Sequence, residues 1–332
     1  MAVVLVVAGC AAPSGGGGGG TGARSCGASA GPAIDEAFTI GTAVIVSHPS
    51  LQLIRDGFAD YLQEKGIKAT YLDENAQGDQ NNSATIAATF HENSDIDLML
   101  AISTPIAQAV VQVEKTRPVL FAGITDPVAA GLVPSLDQPS GTNVTGTSDL
   151  NPNGKPVGLI QEMVPDVATV GVLYTSSEQN SVIQVETYKE EAASLGITIK
   201  ESAITNSSEL ATGVQALAGV DAILIPTDNN VVAGIATVIG FGEQNQIPVF
   251  TADTESVGKG TVAARGVSYY DMGCRTGEMA YRVLAEGTDV ATIPTLVVQE
   301  TEISANPAAA ARMGLTIPQA ILDQATLVDE PA

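Results

Sequence analysis

From residue 38 onward, short apolar runs rich in β-favouring residues alternate with segments whose apolar positions recur every three to four residues. The runs at 40–46, 98–102, 119–124, 170–175, 222–225 and 249–251 are nearly continuous in apolar side chains. That is the pattern of parallel strands covered on both faces. Over 51–65, Leu51, Ile54, Phe58, Tyr61 and Leu62 follow a period near 3.6, and Gly66 is placed to end the helix. Similar patterns predict helices over 80–92, 105–115, 182–195, 209–217, 231–244 and 271–286, with a further strand over 296–304. Such alternation predicts an α/β fold built on parallel sheets.

The order of strand and helix repeats, once over about 38–146 and again over about 151–270. Leu150-Asn151-Pro152-Asn153-Gly154 lies between the two runs, a polar breaker suited to a hinge. Two doubly wound, Rossmann-like lobes are therefore expected, although one larger sheet would give a similar string. The expected division puts 38–148 and 271–295 in lobe 1, and 149–270 and 296–332 in lobe 2. Hinge positions are expected at 150–153 and near 267–270.

The first ten residues run Met-Ala-Val-Val-Leu-Val-Val-Ala-Gly-Cys. Their ending, Ala8-Gly9-Cys10, resembles the lipobox of bacterial lipoproteins, which predicts a secretory signal over 1–10 and a lipid on Cys10. No basic residue precedes the apolar run, so translation is expected to begin upstream of Met1. Residues 11–37 include six consecutive glycines, Gly15 to Gly20, and are expected to form a flexible tether between anchor and lobes. Three cysteines fit one lipidated residue and two others. A bridge between Cys26 and Cys274 is compatible with a location outside the cytoplasm, but nothing in the sequence requires it.

The 332 residues carry 45% hydrophobic and 15% charged side chains, enough apolar material for two cores. A net charge of −23 argues against binding nucleic acid, which needs clustered Lys and Arg, and against lying on an anionic membrane. No apolar run reaches the roughly 18 residues that span a bilayer. Neither His48 nor His91 sits in a zinc-binding spacing, and no nucleophile elbow or phosphate loop is present. No metal, cofactor or catalysis is expected.

In parallel α/β sheets, ligands bind beyond the carboxyl ends of the strands. The loops there are Ser47-His48-Pro49-Ser50, Ser103-Thr104-Pro105, Thr125-Asp126-Pro127, Thr175 through Ser181, Thr227-Asp228-Asn229-Asn230 and Thr251-Ala252-Asp253-Thr254. They carry Asp126, Glu178, Asp228 and Asp253 but neither Lys nor Arg. A site built from them favours a ligand ammonium, while a helix N-terminus such as that at Ser103-Thr104-Pro105 can take a carboxylate. An α-amino acid combines both groups. Each of these residues is also an ordinary helix N-cap type, so any single one can be a cap instead of a contact.

The strings Asn75-Ala76-Gln77-Gly78-Asp79, Ile102 through Gln108, Phe121 through Pro127, Asn143-Val144-Thr145-Gly146, Ser177 through Ser181 and Pro226-Thr227-Asp228-Asn229 resemble one family of ABC-transporter substrate-binding proteins. The family includes tryptophan- and phenylalanine-binding lipoproteins. Ile303 through Asn306 and Ala311 through Pro318 fit it too, so the resemblance spans about 40–318. It implies a type I periplasmic-binding-protein fold with three crossings between lobes. It further implies ligand contacts at Ser103, Thr104, Asp126, Glu178, Asn180, Ser181, Asp228, Asn229 and Asp253. Asp228 or Asp253 would meet the ammonium; the Ser103–Thr104 helix start with Asn180 and Ser181 would meet the carboxylate. His48 and Tyr269 would flank the side chain. The implied partners are a small ligand and the permease and ATPase subunits of an importer, with the receptor a lipid-anchored monomer outside the cytoplasm. A nucleoside or sugar ligand, or a signalling partner in place of a transporter, are the competing expectations. The absence of Trp leaves few stacking partners for an indole.

Overall fold

The structure is a computed structural model in which residues 24–31, 35–151 and 154–328 are described. The first run of elements is β1 (Ala37–Val44), α1 (Pro49–Glu64), β2 (Lys68–Asn75), α2 (Gln80–Glu92), β3 (Leu98–Ile102), α3 (Thr104–Val113), β4 (Val119–Ile124) and β5 (Val144–Ser148). The second is α4 (Pro156–Met163), β6 (Thr169–Thr175), α5 (Gln179–Leu195), β7 (Thr198–Ile204), α6 (Leu210–Gln215), β8 (Ala222–Ile225), α7 (Asn229–Ala233), α8 (Ile235–Asn245), β9 (Val249–Thr251) and β10 (Ala263–Gly266). The chain then continues through α9 (Tyr269–Leu284), β11 (Leu296–Val297), β12 (Glu302–Ala305), α10 (Pro307–Arg312), α11 (Gln319–Leu322) and β13 (Thr326–Leu327).

These strands form two sheets, ordered β11-β5-β4-β3-β1-β2 and β13-β12-β10-β9-β8-β6-β7. Every neighbouring pair is parallel except β10 with β12. Every residue of β3 and of β8 is buried, as their unbroken apolar sequences require. Each sheet has its own core: one gathers around Ile54, Phe58, Leu100 and Phe121, the other around Val172, Leu224, Ile225 and Phe250. The chain passes between sheets three times, after β5, after β10 and between β11 and β12. This is the two-lobed, three-crossing arrangement of type I periplasmic binding proteins.

Three features depart from the sequence-based expectation. The strand expected over 296–304 is two strands: β11 extends the first sheet and β12 the second, so the third crossing lies between them. The helix expected over 231–244 breaks at Gly234, where an added Cβ would lie 2.2 Å from the Leu210 side chain. Residues 24–31, expected to belong to a free tether, are fastened to lobe 1. Cys26 is disulfide-bonded to Cys274 of α9, and Glu64 at the end of α1 accepts from the Cys26 and Ala28 amides at 2.9 and 2.8 Å. The expected signal and lipid site at Cys10, and Pro152 and Asn153 of the expected hinge, lie outside the described residues.

Helix α9 follows the second crossing yet packs in lobe 1, along α1. The two backbones approach so closely that a Cβ on Gly57 would sit 2.2 Å from the Tyr270 carbonyl, and one on Gly273 would sit 2.2 Å from that of Ile54. Glycine at both positions is what fixes α9 to lobe 1 and aims its first residue, Tyr269, at the space between lobes.

Candidate functional site

The six loops singled out from the sequence all lie at carboxyl ends of strands, and the two sheets bring them face to face. Direct hydrogen bonds join the lobes there. Ser50 Oγ donates to Asp253 Oδ1 at 3.2 Å, and the Thr125 and Thr227 hydroxyls meet at 3.2 Å. His48 Nε2 lies 3.5 Å from Asn229 Oδ1, and Gln108 Nε2 donates to Gln179 Oε1 at 2.8 Å. The lobes are closed on each other.

Several expected ligand contacts are instead occupied within their own lobe. Asp228 caps α7 and accepts from Thr175 N, Thr175 Oγ1, Ser181 Oγ and Val231 N. Four donors fill the lone pairs of one carboxylate, so Asp228 is not left to meet a ligand, and the Ser181 proton is already spent on it. Glu178 accepts from the backbone and side-chain amides of both Asn229 and Asn230, and from Asn180 Nδ2. Burial and the neighbouring Asp228 raise its pKa, and burial raises that of Asp228. Together they lock the loops after β6 and β8 into one rigid wall. Asp126 turns back on its own loop, accepting from Val128 N and Ala129 N at 3.0 and 2.9 Å. For these residues the helix- and turn-capping role accounts for the side chain.

A different set faces the cleft. Asp253 lines it, 2% exposed, held by Ser50 from lobe 1 and by Ser256. Asp149, which the sequence reading passed over, is 8% exposed and accepts from Tyr269 Oη at 3.0 Å through Oδ2. Its Oδ1 has no hydrogen-bond partner among the described residues. Burial pushes the Asp149 pKa up, against the opposing pull of the Tyr269 and Thr125 hydroxyls. Asn180 spends its amino group on the Thr227 carbonyl and Glu178, which fixes its orientation and leaves Oδ1 unpartnered in the cleft. Asn180 therefore offers an acceptor, not the donor a carboxylate would need. Asn229 turns its Oδ1 to His48 Nε2, whose other nitrogen, Nδ1, is unpartnered. Burial lowers the His48 pKa, opposed by Asp253 and Asn229, so a neutral ring with Nδ1 as acceptor fits the geometry.

At the start of α3, next to the ends of β4 and β1, Ser103 and Thr104 are buried with hydroxyls that have no hydrogen-bond partner among the described residues. Ser103 has φ 87° and ψ 156°, a region that only glycine enters without strain. A strained residue with an unsatisfied hydroxyl at a helix N-terminus is arranged for an anion.

The cleft proper, lined by His48, Asp149, Asn180, Asn229, Asp253 and Tyr269 among others, has a volume of about 20 Å³; Ser103 and Thr104 are not among its lining residues. Sharing Thr125, Asp149, Thr227 and Tyr269 with it is a cavity of about 540 Å³ that lies along α5 beside the first two crossings. Tyr188 on α5 lines this cavity and was missed in the sequence because its spacing on the helix reads as core. Asp149 was missed because it adjoins the Leu150–Gly154 breaker and reads as hinge.

Comparison with known proteins gives a consistent picture. The family model described as ABC transporter substrate binding protein matches residues 39–329. A tyrosine-binding protein of Clostridioides difficile (strain R20291) is 38% identical over 272 residues, 80% of this chain and 78% of that protein. The solved structure of an ABC domain in complex with L-Trp from Streptococcus pneumonia is 37% identical with a TM-score of 0.83, covering 89% of this chain and all of that one. The ligand-free, open structure of a substrate-binding protein with adhesive properties from Clostridium difficile is 36% identical over the same share, with a TM-score of 0.65. The chain thus superposes better on the L-Trp complex than on the ligand-free, open structure.

Proposed function

Because the chain belongs to the ABC transporter substrate-binding protein family, we propose that it is the extracytoplasmic receptor of an importer and closes around a zwitterionic L-amino acid with an aromatic or large apolar side chain. The observation that carries this reading is Asp149, a buried carboxyl on the cleft with an unpartnered oxygen. Asp149 Oδ1, Asn180 Oδ1 and Asp253 would receive the ammonium. The first turn of α3, with the Ser103 and Thr104 hydroxyls, would receive the carboxylate. His48 and Asn229 would complete the wall between lobes. The relatives that carry tyrosine and L-Trp in their names support an amino acid of this class.

Binding would proceed without chemistry. The lobes act as jaws, with 38–148 and α9 on one side and the second sheet on the other, hinged where the chain crosses after β5, after β10 and between β11 and β12. Closure excludes water and strengthens the charge-assisted bonds. The closed face is then read by permease and ATPase subunits. No helix among the described residues is long and apolar enough to cross a membrane; lipidation at Cys10 would hold the receptor there as a monomer. Replacing Cys10 by Ser should release the protein from the membrane fraction, and retention of the variant there would overturn the anchor.

Thermal unfolding of protein that has been unfolded and refolded, against the twenty L-amino acids, nucleosides and sugars, tests the ligand class. A ligand at a hundred times its Kd adds about 2.7 kcal/mol. Stabilisation by aromatic amino acids is expected; stabilisation by sugars or nucleosides alone would overturn the reading.

A further inference from the structure

The cleft between Asp149, Asn180 and Asp253 has room for about one ammonium group. Its volume of about 20 Å³ is close to that of one water, for which roughly 10–15 Å³ suffices. Ligand sites run to about 300–1,000 Å³, and the adjoining cavity of about 540 Å³ falls in that range. Size alone therefore assigns the two spaces different tasks.

The cavity adjoins the cleft, sharing Thr125, Asp149, Thr227 and Tyr269 in its lining, which places the two side by side for one ligand. Its first wall is a face of α5, where Ile183, Thr187 and Tyr188 follow helical spacing. Leu150, from the first crossing, and Val267, from the second, also line it. Two phenol rings, those of Tyr188 and Tyr269, are among its lining groups. Tyr188 is 4% exposed, and its hydroxyl is spent on Gln184 Oε1 at 2.8 Å. Tyr269 is also 4% exposed and spends its hydroxyl on Asp149. With their polar ends satisfied, both rings can offer apolar surface.

Resting on the amino-acid reading, we propose that this α5 cavity is the specificity pocket: the ligand's ammonium sits at Asp149 while its side chain passes Tyr269 into the space between Ile183, Tyr188, Leu150 and Val267. The side chain it takes is large and flat with a polar edge, a phenol or an indole. Arg265 and Thr187, which also line the cavity, supply polar groups for that edge. The Asp149 oxygen marks the junction, because among the described residues it is the one buried polar atom without a hydrogen-bond partner that borders both spaces.

Calorimetric titration with L-tyrosine and L-tryptophan tests the assignment. Thr187 is exposed on α5, so Thr187→Trp adds bulk at the cavity without entering the core. It should weaken both ligands about tenfold or more, the scale of overfilling a packed site. Ile183→Ala widens the same pocket and should change the ratio of the two affinities. If both variants keep the wild-type unfolding midpoint and bind both ligands as the wild type does, while Asp149→Asn weakens binding about thirtyfold or more, the pocket assignment is wrong and the amino-acid reading stands. Should the wild type bind neither these nor any other amino acid, the amino-acid reading falls and the pocket assignment falls with it.

Discussion

Tyr269 donates its phenolic proton to Asp149 Oδ2 across 3.0 Å, and this bond joins two of the three crossings between the lobes. Asp149 follows β5, at the start of the first crossing; Tyr269 opens α9, just beyond the second. The carboxyl that would hold the ligand's ammonium is thereby built into the hinge itself. Ligand charge at Asp149 acts on the part of the protein that must bend.

Replacing Asp149 by Asn keeps the shape and removes the charge. Affinity for an aromatic L-amino acid should fall by about 2 kcal/mol or more, some thirtyfold, the scale of leaving a buried charge without its partner. Calorimetric titration measures it, and the unliganded variant should fold normally.

The same residue sets a pH dependence. Ammonium and proton compete for Asp149, whose pKa burial has raised. Affinity should therefore be full above that raised pKa and be lost as pH falls through it, beginning at higher pH than an ordinary aspartate would give. The unliganded protein should respond oppositely. A raised folded pKa means the folded state keeps a proton that the unfolded chain has released, so stability from this group declines as pH rises across the window above the ordinary value of 3.8. Titrations and unfolding curves across acid pH check both signs; Asp149→Asn should flatten the affinity profile and remove only its own share of the stability decline, to which Glu178, Asp228 and Glu255 also contribute.

Ser103 carries a backbone conformation that costs about 1–3 kcal/mol for a residue other than glycine. Ser103→Gly should relieve that strain, less the roughly 0.5–1 kcal/mol that glycine loses in chain entropy. The variant should unfold at higher temperature and bind the amino acid more weakly, having lost a hydroxyl at the start of α3. A variant that is both less stable and unchanged in affinity would contradict the assignment of this helix start.

The disulfide between Cys26 and Cys274 closes a loop across 248 positions of sequence. Removing it with Cys26→Ser and Cys274→Ser together should cost about 2–5 kcal/mol of stability. Both cysteines lie away from the cleft lining, so affinity should hold. Thermal unfolding paired with titration separates the two effects.

The lobes were legible because their central strands are buried on both faces. The segments 98–102, 119–124, 222–225 and 249–251 match β3, β4, β8 and β9 to the residue. The edge strands β2 and β7 were not, since their half-exposed residues include Lys68, Asp73, Glu74, Lys200 and Glu201, which break the apolar run. The composition of β5, Val-Thr-Gly-Thr-Ser, is polar yet wholly buried, and Gly146 lets Phe121 of β4 approach within 2.0 Å of where a Cβ would stand. The site was legible as loops and not as roles. An aspartate before a helix reads alike whether it is wholly spent within its lobe, as Asp228 is, or caps the next turn and also lines the cleft, as Asp253 does. Only the count of donors around each carboxyl separates them, and those donors come from distant strands.

The most direct test of the central claim is calorimetric titration of the refolded protein with L-tyrosine, its deaminated acid and its decarboxylated amine. Recognition of a zwitterion through Asp149 at one end and the α3 helix start at the other predicts that L-tyrosine binds and that each analogue is weaker by at least about a hundredfold, the scale of unpairing a buried charge. Equal binding of the deaminated acid would contradict it, because the cleft's buried carboxyls would then have no part in holding the ligand.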